Sequence, residues 1–318
     1  MQKEFDRDII VVHADLCILK IIFLTEQSQV IGIKNKLLKS ITKTLVLASF
    51  FVSTTQAHNP QKKKDFSHDF TVGIAREHYQ YSEATATQKH AMHFKGMMSA
   101  IEGSYQMTWK DSVFIRPELR VAYGKVDYEE WRGDETRMRT PSAVVEPRLL
   151  IGVPWKATDK LTLSPYTGIS HRYKWDNDSN IQDKAGYFGA KRRNYSWYIP
   201  VGVRMRYDLN PLWSLQLSTE YDFFLSGRQY KGGEKKRRIP AKKFKQTQGK
   251  GLRGEFLVGR QFEKIAVSAG FYAYYLKVKK TDKYPYTVRL SANRRIRGAP
   301  YEPKNVTTEI GLKFNIHF

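Results

Sequence analysis

From residue 66 onward, apolar and polar residues alternate in ten runs, the periodicity of extended backbone whose neighbouring side chains point to opposite faces. The pattern predicts strands over residues 66–76, 97–109, 113–127, 142–153, 161–175, 194–207, 212–226, 249–261, 265–278 and 306–318. In the last of these, Val306, Thr308, Ile310, Leu312, Phe314, Ile316 and Phe318 share one face, while Thr307, Glu309, Gly311, Lys313, Asn315 and His317 share the other. Met97, Ser99, Ile101, Gly103, Tyr105, Met107 and Trp109 form a similar apolar-leaning set. In the next run Pro117, which has no ladder donor, marks an edge or a bulge.

Connections between these runs alternate strictly. Four are short (110–112, 155–160, 208–211 and 262–264), and five are long and polar (77–95, 128–140, 176–193, 227–248 and 279–302). An up-and-down meander with one economical end and one elaborate end has this rhythm, and transmembrane barrels place short turns in the periplasm and long loops outside. Strands of this length suit a tilted crossing of about 25 Å of hydrocarbon. Closure is required there, because an open edge in lipid strands backbone donors at several kcal/mol each. The expected fold is all-β, a ten-stranded antiparallel transmembrane β-barrel over residues 66–318.

The front of the chain reads as an address. Lys34, Lys36, Lys39 and Lys43 precede the apolar run 44–52 and the small residues up to Ala57, the order of a secretory signal peptide, and the run is too short to span a bilayer as a helix. Residues 34–57 are therefore expected to be a cleaved signal peptide and 58–65 a periplasmic tail. Residues 1–33 are a doubtful leader, either an amphipathic extension or, as we prefer, the product of a start assigned too far upstream.

Composition fits this reading. Aromatic residues make up 13% of the chain, suiting strands and interfacial girdles, and mean hydropathy is −0.55, as a barrel with a polar interior permits. The single cysteine, Cys17, lies in the leader, so a processed chain could build no internal disulfide. A net charge of +23 points to acidic partners such as phosphate-rich lipopolysaccharide or acidic glycans.

An alternating final strand ending in Phe318 is similar to the last strand of bacterial outer-membrane β-barrel proteins. The segments E-P-R-L-L from Glu146, S-P-Y-T-G-I-S-H-R-Y from Ser164 and E-P-K-N-V-T-T-E-I-G-L from Glu302 look like those of uncharacterised, porin-like bacterial barrels. The resemblance implies residence in the outer membrane of a Gram-negative cell. It also implies recognition by the barrel-assembly machinery through Ile310, Leu312, Phe314, Ile316 and Phe318, and a chain that is monomeric or nearly so.

The polar faces collect Glu102, Arg116, Glu118, Arg120, Glu146, Arg148, Arg172, Arg204, Arg206, Glu220, Asp222, Arg253, Glu255, Glu309 and Lys313. Ten strands enclose a lumen only slightly wider than one that side chains fill, so an ion-pair plug is expected, with a narrow path for small anions as the alternative. Ten-stranded outer-membrane barrels include the omptin proteases, which carry paired acids and an Asp–His pair near the outer rim. Glu220 and Asp222 share a face and could activate water, but no Asp-x-His partner accompanies them, so ion pairing is expected and hydrolysis stays a remote alternative.

His68, His78, His90 and His93 lack a metal-binding scaffold, and neither a metal nor another cofactor is expected. The most basic loop carries Lys231, Lys235, Lys236, Arg237, Arg238, Lys242, Lys243 and Lys245, joined by Arg294, Arg295 and Arg297 further on. It lacks the context of a specific nucleic-acid reader. The expected role is structural or surface-binding: adhesion, or contact with lipopolysaccharide or acidic glycans.

Overall fold

The structure, a computed structural model, describes residues 65–85, 91–130, 133–184, 186, 188–232, 241–283, 286–289, 295–298 and 300–318. The leader, the signal peptide and all but Asp65 of the 58–65 tail lie outside the described residues.

Ten long strands form one antiparallel sheet: β1 (Phe66–Ala84), β2 (Met92–Trp109), β3 (Val113–Glu130), β4 (Gly133–Gly152), β5 (Leu161–Asn177), β6 (Lys191–Asp208), β7 (Trp213–Lys231), β8 (Gly249–Gln261), β9 (Ala266–Val278) and β10 (Lys304–His317). Each pairs with the strand before it in sequence, and β10 returns to pair with β1 from Thr71↔His317 to Ala84↔Lys304. The sheet therefore closes as an up-and-down barrel. Two short strands lie on its margin, Trp155–Lys156 against β5 and Lys242–Gln246 against β7. A separate small hairpin joins Tyr286–Arg289 to Arg295–Gly298.

The short-turn end is built by local chemistry. Between β2 and β3, Lys110 and Asp111 have φ of 47° and 54°, and the Ser112 amide donates to the Trp109 carbonyl at 2.9 Å. Two consecutive left-handed residues give the turn whose twist matches the flanking strands. Asn210 Oδ1 accepts from the Leu212 and Trp213 amides, 2.9 Å each, and shapes the turn before β7. The β2–β3 register lapses where Tyr105 would face Pro117, whereas Pro117 stays paired with Leu149 of β4.

Around the barrel wall the outward positions are apolar and open: Leu312 is 64% exposed, Ile74 60% and Ile101 56%. A continuous belt of that kind has lipid as its partner. Trp109, Trp155, Tyr207, Trp213 and Phe262 ring the short-turn end, and Tyr195, Trp197 and Phe223 mark the upper border on one side.

The strands run further than the alternation predicts. β1 extends to Ala84, β3 to Glu130, β5 to Asn177 and β7 to Lys231, and β4 begins at Gly133, so much of the expected long loops is sheet. The reason is a reversal of phase. Above the lipid belt of β1 the outward residues become Arg76, His78, Gln80 and Ser82, while inward positions carry the buried Tyr79 and Tyr81. Phe94 and Tyr128 do the same on β2 and β3. Greasy residues mark the outer face below and the inner face above, as a sheet standing in water demands.

Candidate functional site

Inward positions of nine strands, all but β9, converge on a layer of charge in the lumen. Arg120 on β3 contacts Glu77 of β1, and reaches Glu102 of β2 and Glu309 of β10 at 3.2 Å each. Arg172 on β5 joins Glu309 to Glu146 of β4, the latter at 2.7 Å. Arg253 on β8 bridges Glu146 at 2.5 Å, Asp222 at 2.7 Å and Glu220 at 3.1 Å. Arg148 returns from Glu220 to Glu118 at 3.2 Å, and Arg116 holds Glu118 at 2.8 Å. Lys313 ties Glu102 at 2.7 Å to Glu255 at 2.6 Å.

These pairs form one connected chain across the barrel. Glu77, Glu146, Asp222 and Glu309 are fully buried, so each charge depends on its partners for the solvation that water no longer provides. Arginine suits the task because its planar fork serves several carboxylates at once. Eight carboxylates meet seven cations among the described residues of the layer, so the net basicity of the chain is not stored here.

The structure places the predicted lumen residues in this layer except Arg206. That side chain pairs with Asp208 at 2.9 Å near the short-turn end, and both are exposed. Arg204 lies at the layer's edge, 3.7 Å from Glu118. A cavity of about 110 Å³ remains between Glu118, Arg116, Arg148, Arg204, Glu255 and Lys313. Glu220 and Asp222 sit mid-strand, since β7 continues to Lys231, and not near the strand's outer end as the alternation suggests. Both are engaged by Arg253.

A second layer, above the first, was hidden from sequence reasoning. Phe94 packs on Tyr128 with centroids 5.0 Å apart and on Tyr81 at 6.0 Å; Met92, Met98 and Val126 belong to the same cluster, and Tyr272 and Tyr274 carry it down to the ionic layer, where Tyr272 donates to Glu77. Two cations sit among the rings. Lys174 Nζ lies 4.0 Å from the Tyr81 centroid, 4.7 Å from Phe94 and 3.1 Å from Asp176. Arg192 lies 4.7 Å from the Tyr128 centroid and 3.1 Å from Asp178. Ring faces stabilise desolvated cations in this way. Tyr81, Met92, Phe94, Tyr128, Asp176 and Arg192 fall in stretches that polarity marks as loops, whereas Met98, Val126, Lys174, Tyr272 and Tyr274 lie in the upper halves of predicted strands; in the loops the one signal is the two-residue spacing of Tyr79 and Tyr81.

At the mouth, Glu302 receives a hydrogen bond from Gln229 and lies beside Glu83, which accepts from Tyr81 Oη at 2.9 Å. The Glu302 amide donates to Thr281 Oγ1 at 2.9 Å, tying the start and end of the 279–303 connection together. Burial, and then the negative charge of Glu83, push the Glu302 carboxyl well above its ordinary range.

Of the basic loop, Lys235, Lys236, Arg237 and Arg238 lie outside the described residues, as does Arg294. Lys242, Lys243 and Lys245 lie on the short strand beside β7, and Arg295 and Arg297 on the small hairpin. His68 bonds to Tyr105 at 2.7 Å and His93 faces Glu129 at 3.8 Å, at different heights of the wall, while His90 lies outside the described residues. Ile310, Leu312, Phe314 and Phe318 face outward, exposed, and Ile316 is half-exposed on the same face.

No protein-family model matches the sequence, and no curated protein does. Among solved structures, the outer membrane protease OmpT from Escherichia coli superposes with a TM-score of 0.54 at 10% identity, over 82% of this chain and 99% of that one. The translocator domain of the autotransporter NalP from Neisseria meningitidis gives 0.38 at 9% identity, over 86% and 96%. The closed meander and the lipid-facing belt make the chain a ten-stranded transmembrane β-barrel, and the likeness to OmpT shows that it has the fold of an outer-membrane β-barrel.

Proposed function

We propose that the protein is a non-conducting, non-enzymatic surface barrel, whose lumen is closed by stacked ionic and aromatic layers and whose outer end contacts phosphate-bearing or acidic surface molecules. One observation carries the reading: the unbroken chain of pairs from Glu77 through Arg120, Glu309, Arg172, Glu146, Arg253, Glu220 and Arg148 to Glu118 crosses the lumen. The aromatic cluster above it fills the same column. Opening either would strand buried charge or bare apolar surface.

Planar-bilayer recording of the refolded, processed barrel is the test. The expected trace shows no unitary steps above the lipid background. Anion-selective steps would replace this reading with the second, a narrow anion path, which Arg204 favours because its guanidinium borders the cavity with a carboxylate no closer than 3.7 Å.

A further inference from the structure

The outer wall above the lipid belt is electrically lopsided. On the β1–β4 side, cations and anions alternate: Arg137 pairs with Asp127 at 3.1 Å, and His93 faces Glu129. On the β6–β9 side, outward positions carry Lys191, Arg193, Arg228, Lys245, Lys250 and Lys277, and among the described residues these strands carry no outward Asp or Glu at that height; Asp183 and Asp282 lie on the connections beyond them. The register sharpens this. Arg228 is directly opposite Lys245, and Lys250 is directly opposite Lys277. Like charges facing one another across a ladder repel, so both pairs cost stability unless an anion lies between them.

The height of these pairs restricts what that anion is. Lys250 is in register with Phe223, and Arg228 with Tyr195. Phe223 lies at the level of Lys250 and Leu252 just below it, while Leu225 lies between that level and Arg228; each is about half exposed, and together they form the top of the lipid-facing belt. An anion held here has apolar chains beneath it. Arg193 and Lys191 stack over Tyr230 and Trp175, at 5.2 and 6.0 Å, and form the flank.

The geometry points to a docking wall on β7, β8, β9 and the strand Lys242–Gln246 for a membrane lipid bearing two phosphates, a diphosphorylated glycolipid whose acyl chains lie on Phe223, Leu225 and Leu252. A phosphate monoester carries about −1.5 to −2 charges, enough to neutralise one cation pair, so two pairs call for two phosphates. The assignment rests on reading the barrel as outer-leaflet-facing and deepens it. It is independent of whether the lumen conducts.

The test uses the processed barrel in dodecyl maltoside micelles, with diphosphoryl lipid A, monophosphoryl lipid A and phosphatidylglycerol as probes and bound lipid read by native mass spectrometry. Diphosphoryl lipid A is expected to bind most tightly. R228Q/K245Q and K250Q/K277Q should each weaken it by about tenfold or more, since juxtamembrane cations each contribute appreciably to anionic-lipid binding. K95Q/K125Q, on the balanced wall, should leave it within about twofold. These outward substitutions leave the inner layers untouched, and heat-modifiable migration reports folding of each. Should one not fold, the wild type supplies the reading alone, with affinity for diphosphoryl lipid A falling as salt rises. Equal binding of phosphatidylglycerol, equal losses in the control variant, or salt-independent affinity would overturn the assignment. Conducting steps in a bilayer, by contrast, would sink the closed-lumen reading and leave this one standing.

Discussion

At the scale of single residues, Arg120 has the most to lose. It serves Glu77, Glu102 and Glu309, and its removal leaves buried carboxylates uncompensated. Arg120→Met is expected to cost about 3–5 kcal/mol, read as a lowered urea midpoint of the micelle-bound barrel. Arg206→Gln, breaking an exposed pair, should change stability by less than about 1 kcal/mol in the same assay. A second expectation concerns the β2–β3 turn. Replacing Lys110 and Asp111 by Asn and Gly suits their positive φ and should raise the midpoint, by up to about 1 kcal/mol in stability. The sequence made the charged faces legible because period two is unambiguous. It does not show depth along the strand, and this is why Arg206 reads as a lumen residue and Glu77 falls in a predicted loop.

At the scale of elements, all ten strands are visible in the sequence at their short-turn ends, β1 to β7 are truncated at their upper ends, and β8 and β9 are read at nearly full length. Alternation identifies a strand by one continuing greasy face, and near Arg76 in β1, Lys95 in β2 and Lys125 in β3 that face changes sides. Neither half is irregular; the solvent outside the wall changes from lipid to water. The upper part should therefore behave as a water-exposed barrel with an ordinary apolar core. Phe94→Ala is expected to cost about 3–5 kcal/mol and to open the upper strands to protease while the membrane-embedded part remains protected.

The 279–303 connection adds a pH dependence. Facing Glu302 are Glu83 from β1, Gln229 and Lys231 from β7, and Arg192 from β6. Because the folded carboxyl holds its proton above its ordinary range, the folded state binds the extra proton between the unfolded and folded values. Docking of this connection is then firmest at acid pH and weakens as pH rises through the folded value. Limited proteolysis at pH 5 and pH 8 should show the difference, and Glu302→Gln should remove it.

At the scale of the molecule, strands of 18–20 residues such as β1, β3, β4 and β7 run about 60 Å, which at a tilt near 40° lifts the wall well beyond the hydrocarbon. One tube thus combines a lipid-embedded lower part with a water-exposed upper part, with an ionic and an aromatic layer of side chains stacked inside it. The seam between β1 and β10 has its own consequence. It brings together Thr71 and His317, 246 positions apart, and every other strand neighbour is already adjacent in sequence. Until that one junction fastens, each partly assembled state carries two raw hydrogen-bonding borders at once, at the opposite ends of a curling ribbon. Such a hoop gains little from stepwise growth. It is built to snap shut in a single late event, and whatever escorts it to the membrane has to shield both borders until then.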